Sequence, residues 1–175
     1  MKFILVFLYL IFIILSNVLT AKIKPLEINN FFIPIGTFFI GFTFILRDLV
    51  QYFFNRKKTY YFIIIAMILS AITSKLLGDS LWIVFASIIT FAISETTDTE
   101  IYTRLKSNQS LKVLISGIIS GVLDSSIFVI IGLSPIGANF IAWEFVFMAI
   151  IGQVIVKTII QIICSIIIWF FIYRR

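Results

Sequence analysis

The chain has 175 residues, 61% of them apolar and only 13% charged, with 14 Lys and Arg, 8 Asp and Glu, and no histidine. So little charge, with a mean hydropathy of +1.16, excludes an ordinary soluble surface and makes lipid the main solvent. The net charge of +6 does not point to nucleic acid, because the basic residues cluster between apolar runs, where membrane topology accounts for them.

The length allows one domain, 1–175, of about six spans at roughly 20 residues each. The apolar runs predict an all-α, polytopic membrane protein with spans near 3–21, 31–54, 59–75, 80–102, 111–132 and 143–172. The first run has the outline of a leader, with Lys2, an apolar core and Leu19-Thr20-Ala21 as a cleavage site. Its length and the polar Asn17 favour a retained span. Pro34 and Gly36 open the second run, either as an ordinary first helical turn or as an unwound one with free backbone groups. Within it Thr43, Arg47 and Gln51 recur every four residues and share one helical face.

The third and fourth runs are short, with 16 and 15 uncharged residues. The fourth reaches spanning length only if its helix continues through Glu95 and Asp98 to Tyr102; a re-entrant segment is the competing reading. On that helix Ser87, Ser94 or Glu95, Asp98 and Tyr102 align at three-, four- and seven-residue steps. In the fifth run Ser116, Ser120 and Asp124 share a face beside Gly117 and Gly121, which permit close helix approach. In the sixth, Gln153, Lys157 and Gln161 form a similar stripe. Cys164, the only cysteine, excludes an internal disulfide and reads as a small buried hydrophobe. Trp82 and Trp143 near one boundary and Trp169 near the other fit an aromatic belt.

Basic residues set the orientation. With the N-terminus in the cytoplasm, Lys2, Arg56, Lys57, Lys58, Arg104, Lys106, Lys112, Arg174 and Arg175 lie inside, and only Lys22, Lys24 and Lys75 outside. Both termini are therefore expected in the cytoplasm of a multi-pass protein of the cell membrane.

Arg47, Asp48, Glu95, Asp98, Asp124 and Lys157 remain in or near spans. Each charge at mid-bilayer costs roughly 2.5–3.5 kcal/mol, so six uncompensated charges would cost on the order of 15–20 kcal/mol. They must pair, lose their charge or line a wet cavity, and all three outcomes face inward. A rise of 1.5 Å per residue puts Lys157 and Asp124 at similar mid-span depth, and Arg47 level with Glu95 on the cytoplasmic side. The expected pairs are Lys157 with Asp124, and Arg47 with Glu95 or Asp98, with Asp48 beside them. A purely structural role would have been met more cheaply by Ser and Gly, so these residues mark a solute path.

Four runs, "PIGTFFIGFTFILRDLVQ", "FASIITFAISETTDTEIYTRL", "SGIISGVLDSSIF" and "GQVIVK", stand in an order and spacing that resemble the vitamin uptake transporter (VUT) family, in its shorter branch. The resemblance covers roughly residues 30–160. It implies import of 7-deazaguanine bases, the queuosine precursors, and points to Arg47, Asp48, Gln51, Ser94, Glu95, Asp98, Asp124, Gln153 and Lys157. A guanine-like edge presents adjacent N–H donors that a carboxylate accepts in parallel, with Glu95 first in line and Asp98 or Asp124 next. Gln51, Gln153 or Asn17 would meet a carbonyl or ring nitrogen, and Tyr102 or a phenylalanine would stack on the ring.

Two other classes compete: a substrate-binding membrane subunit that needs a separate energising complex, and a non-transport structural protein. No nucleotide-binding motif is present, and no nucleophile–base pair marks an enzyme. No cofactor, metal or nucleic-acid partner is expected; the expected partners are the bilayer and the small-molecule substrate, and a homo-oligomer is compatible.

Overall fold

A computed structural model describes residues 2–28 and 31–173, with side chains up to residue 170. Arg174 and Arg175, counted above among the inner basic residues, lie outside the described residues. The elements run α1 (Lys2–Lys22), β1 (Leu26–Ile28), β2 (Phe31–Ile33), α2 (Gly36–Leu76), α3 (Leu81–Arg104), α4 (Gln109–Ile127), a π-helical continuation of α4 (Phe128–Leu133) and α5 (Trp143–Tyr173). Five of these helices are long and apolar enough to cross a membrane. The chain is an all-α membrane protein.

The second and third expected spans are joined in α2. An unbroken helix of its 41 residues would be about 60 Å long, twice the hydrocarbon thickness. It breaks at Asn55, where φ is 69° and ψ is 168°, backbone that only Gly and, less readily, Asn tolerate. The chain doubles back there. Ser16 and its neighbour Asn17 bond to opposite ends of α2: Ser16 Oγ donates to Gly36 O (3.0 Å) and Asn17 Nδ2 to Ser70 Oγ (3.0 Å). Those ends would be roughly 50 Å apart on a straight helix. Phe54 and Phe62, on either side of the break, have ring centroids 5.3 Å apart. The hairpin sets the two limbs of α2 side by side. The break carries its own cap, with Asn55 Oδ1 accepting from Lys58 N (3.5 Å).

Ser80 and Asn108 cap α3 and α4, accepting from Ile83 N (3.3 Å) and Leu111 N (2.9 Å), so one orphan amide of each first turn is met. Helix α3 runs unbroken through Glu95 and Asp98 to Arg104. The re-entrant alternative is thereby corrected. The sequence reading also missed the short antiparallel hairpin of β1 and β2. Its second strand lies on α5 at Gly152, where an added Cβ would sit 3.0 Å from Ile33 and 3.3 Å from Phe31.

Burial is inverted relative to a soluble protein. On the second limb of α2, Ile64, Ile68 and Ile72 are exposed while Ser70 and Ser74 are buried; on α5, Ile155, Ile159 and Ile163 are exposed while Gln153, Lys157 and Gln161 are buried. Aliphatic faces outward and polar faces inward are what a lipid solvent selects. Small residues bring the helices close. A Cβ at Gly117 would fall 2.5 Å from the Gln161 amide, and the Lys157 stem passes 3.6 Å from where a Cβ at Gly121 would lie. Gly36 is tighter still, since a Cβ there would collide with the Thr20 hydroxyl.

Candidate functional site

The inward polar residues divide into two sites at different depths. The first is a narrow cleft of about 80 Å³ at the end of the bundle where α1 finishes and α3 begins. Ser16, Asn17 and Thr20 of α1, Gly36 and Thr37 at the start of α2, and Ser70 and Ser74 near its end form three walls. Ser87, Thr90 and Phe91 of α3, Phe128 of the π segment and Gln153 of α5 form the others, with Asp124 and Lys157 completing the lining.

Asp124 and Lys157 are ion-paired. Lys157 Nζ lies 2.6 Å from Asp124 Oδ2 and donates also to Ser125 Oγ at 2.8 Å, while Ser94 Oγ donates to Asp124 Oδ1 at 3.1 Å. The Asp124 side chain keeps 11% of its surface exposed, and the Lys157 side chain 2%. Two further polar groups on the cleft wall, the Gln153 Nε2 donor and the Thr90 hydroxyl, are buried without a hydrogen-bond partner. Unmet buried donors are uncommon and costly; in a cleft they are ready contacts for a ligand.

The second site lies between α2 and α3 and does not line the cleft. Arg47 is its centre, with the guanidinium fully buried. Its Nε faces Glu95 Oε2 (3.2 Å), its Nη2 is bonded to Asp98 Oδ2 and lies 3.1 Å from Asp48 Oδ1, and its Nη1 donates to Thr99 Oγ1 (2.9 Å). Gln51 continues the seam towards the far end, its Nε2 donating to Thr103 Oγ1 (2.8 Å). Beyond it Glu100 joins Arg56, Arg104 and Tyr60, whose hydroxyl donates to Glu100 Oε1 at 2.6 Å.

Of the residues singled out in the sequence, then, Asn17, Asp124, Gln153 and Lys157 share the cleft, and Arg47, Asp48, Glu95 and Asp98 share the inner cluster. Gln51 and Tyr102 lie away from the cleft. The Tyr102 hydroxyl accepts from Gln109, and its ring packs with Val113, Ile160 and Ile168. Phe91 and Phe128 are the aromatic rings on the cleft wall. The sequence reading missed Thr90 and the small polar pairs Ser16–Thr20 and Ser70–Ser74. These repeat the four-residue step used to find the other stripes, and hydroxyls in apolar runs carry too little insertion cost to draw the eye.

Against this geometry, a protein-family model described as "Putative vitamin uptake transporter" matches residues 72–172, more than half of the chain. The chain belongs to this family. It is a multi-pass membrane protein of a transporter family. No curated protein and no solved structure matches it. The matched stretch holds α3, α4 and α5, and with them Glu95, Asp98, Asp124, Gln153 and Lys157. The Arg47-Asp48 run, which also suggested the vitamin uptake transporter family, lies before it.

Proposed function

We propose that this vitamin uptake transporter imports a small planar solute through the cleft, most specifically a 7-deazaguanine queuosine precursor, across the cell membrane with both termini in the cytoplasm. The observation that carries the reading is the polar cleft itself. Four hydrogen-bonding residues, the amides Asn17 and Gln153, the carboxylate Asp124 and the ammonium Lys157, converge there inside a bundle whose outer faces are aliphatic. A structural bundle gains nothing from an unmet amide donor, whereas a base carbonyl would satisfy Gln153 Nε2. Asp124 offers a carboxylate edge to adjacent ring and exocyclic N–H groups, and Phe91 and Phe128 offer faces for stacking.

Glu95, first in line from the sequence alone, and Asp98, next with Asp124, would act from beneath the cleft through Ser94 rather than by lining it. The test is uptake of radiolabelled 7-deazaguanine bases by cells that lack their own synthesis and transport of these bases. Expression of the chain should confer accumulation, and Asp124→Asn and Gln153→Ala should each lower it about tenfold or more, the scale of one lost charged or buried hydrogen bond. Normal uptake by both variants would remove the cleft from the pathway. Uptake that appears only beside a separate energising complex would make the chain a binding subunit.

A further inference from the structure

The inner cluster has an imbalance that the import reading does not use. One guanidinium, Arg47, faces three carboxylates, Asp48, Glu95 and Asp98, all with side chains at most 1% exposed. Lys157, the cation buried on α5, is engaged by Asp124. Two negative charges would stand uncompensated in an apolar bundle if every carboxyl were ionised, and a site of that kind binds cations. A metal ion needs oxygens that converge on one point, and among the described residues no group of three acidic side chains does so. Protons need no convergence.

From this geometry we infer that the Arg47 cluster is a proton-binding site, separate from the solute cleft, and that Glu95 carries the exchangeable proton. Each of the three carboxyls meets Arg47 once and keeps an oxygen with no hydrogen-bond partner, and Glu95 is set apart by its place: it meets Nε, while Asp48 and Asp98 share Nη2, and it is the carboxyl that acts on Tyr9. A second group points into the cluster from α1. The Tyr9 hydroxyl is fully buried, has no hydrogen-bond partner, and sits in the field of Glu95 and Arg47. The remaining groups around Glu95 are accounted for: Asp98 and Thr99 on its own helix, Arg47 and Asp48 on α2, Asp124 and the Asp48-facing Ser116 on α4, and Lys157 on α5 beyond Asp124. The route to solvent is short. Ser94, the residue before Glu95, bonds Asp124 at the cleft. A proton entering by the cleft reaches Glu95 past Ser94, and leaves by the opposite face when the bundle opens there.

The first experiment needs no solute, so it stands apart from the import reading. Infrared spectra of the purified full-length chain in lipid vesicles, taken from acid to alkaline pH, should show a protonated-carboxyl band that disappears on alkalinisation. Glu95→Gln should abolish that band, and Asp124→Asn should keep it. Tyr9→Phe, which preserves the ring and so the packing of α1, should displace its midpoint. A chain with no such band, a band unchanged in Glu95→Gln, or a midpoint unmoved in Tyr9→Phe overturns the assignment. The second experiment rests on the import reading. In vesicles clamped at zero potential, an inward proton gradient should concentrate a 7-deazaguanine base about tenfold per pH unit for one proton per solute, and Glu95→Gln should only equilibrate it. Equal accumulation with and without the gradient would refute coupling while leaving import intact.

Discussion

Replacing Lys157 by Met tests whether the cleft's ion pair is a coupled unit or two tolerated charges. The Lys157 stem runs past Gly121 at 3.6–3.8 Å from a notional Cβ there, so an unbranched Met fills the same channel and packing changes little. Electrostatics changes more. Asp124 loses a 2.6 Å contact and keeps only the Ser94 hydroxyl, and Ser125 Oγ loses its donor. Removing one partner of a fully buried pair costs about 3–5 kcal/mol. The partial exposure of Asp124 towards the cleft discounts that to roughly 2–3 kcal/mol, because water there relieves some of the unpaired charge. Adding Asp124→Asn removes the stranded carboxylate and should restore about half of the loss, since the amide still accepts from Ser94. The assay is reversible unfolding in mixed micelles, followed by tryptophan fluorescence for wild type, both single variants and the double. A double variant as unstable as the sum of the singles would refute the coupling. Solute uptake should fail in the double variant despite its recovered stability, which separates the pair's role in folding from its role in transport.

Two other substitutions test the frame that positions the cleft. Gly36→Ala drives a methyl into the Thr20 hydroxyl and to 2.5 Å from Ser16 O; overpacking of this kind costs typically 1–3 kcal/mol, so a lowered melting midpoint is expected, and an unchanged one would mean that α1 and α2 are not in this contact. Asn55→Gly should be neutral or mildly stabilising and Asn55→Val destabilising by about 1–3 kcal/mol, because φ is positive there; similar stability of the two would show that the reversal of α2 lies elsewhere.

What was legible in the sequence was whatever a single helix decides. The steps Ser116–Ser120–Asp124 and Gln153–Lys157–Gln161 follow from helical periodicity, and depth follows from the rise per residue. Lys157 and Asp124 stand at matching depth in the chain and are ion-paired in the structure; what that pair does is a proposal. The membrane class was legible for the same local reason, since uncharged runs of spanning length need no tertiary knowledge. The division of the charged residues into two sites was not legible. It depends on how far each helix is turned about its axis, which places Ser94 towards the cleft and Glu95, one residue on, towards Arg47. Tyr9 was invisible because an aromatic residue in a leader-like apolar run looks like lipid-facing filler. The π segment at 128–133 was hidden because it breaks no hydrophobic pattern; it only widens the turn that brings Phe128 to the wall.

The adjacency of Ser94 and Glu95 has a mechanical consequence. Both ride on one rigid helix, with Ser94 bonded to Asp124 of α4 and Glu95 held by Arg47 of α2. A rotation of α3 displaces both contacts together, because the two side chains stand on one helix about 100° apart around its axis. A solute that competes with Ser94 for Asp124 would therefore be felt at the Arg47 cluster, and neutralisation of Glu95 would be felt at the cleft. That cluster and the Glu100 contacts beyond it join α3 to both limbs of α2. By contrast, α4 and α5 are tied at the same end by uncharged bonds between Ser110 and Ser165. Charge held across the α2–α3 seam would answer to protons in a way that the serine seam does not, so under the proton-binding reading the α2–α3 seam is where the end away from the cleft would open.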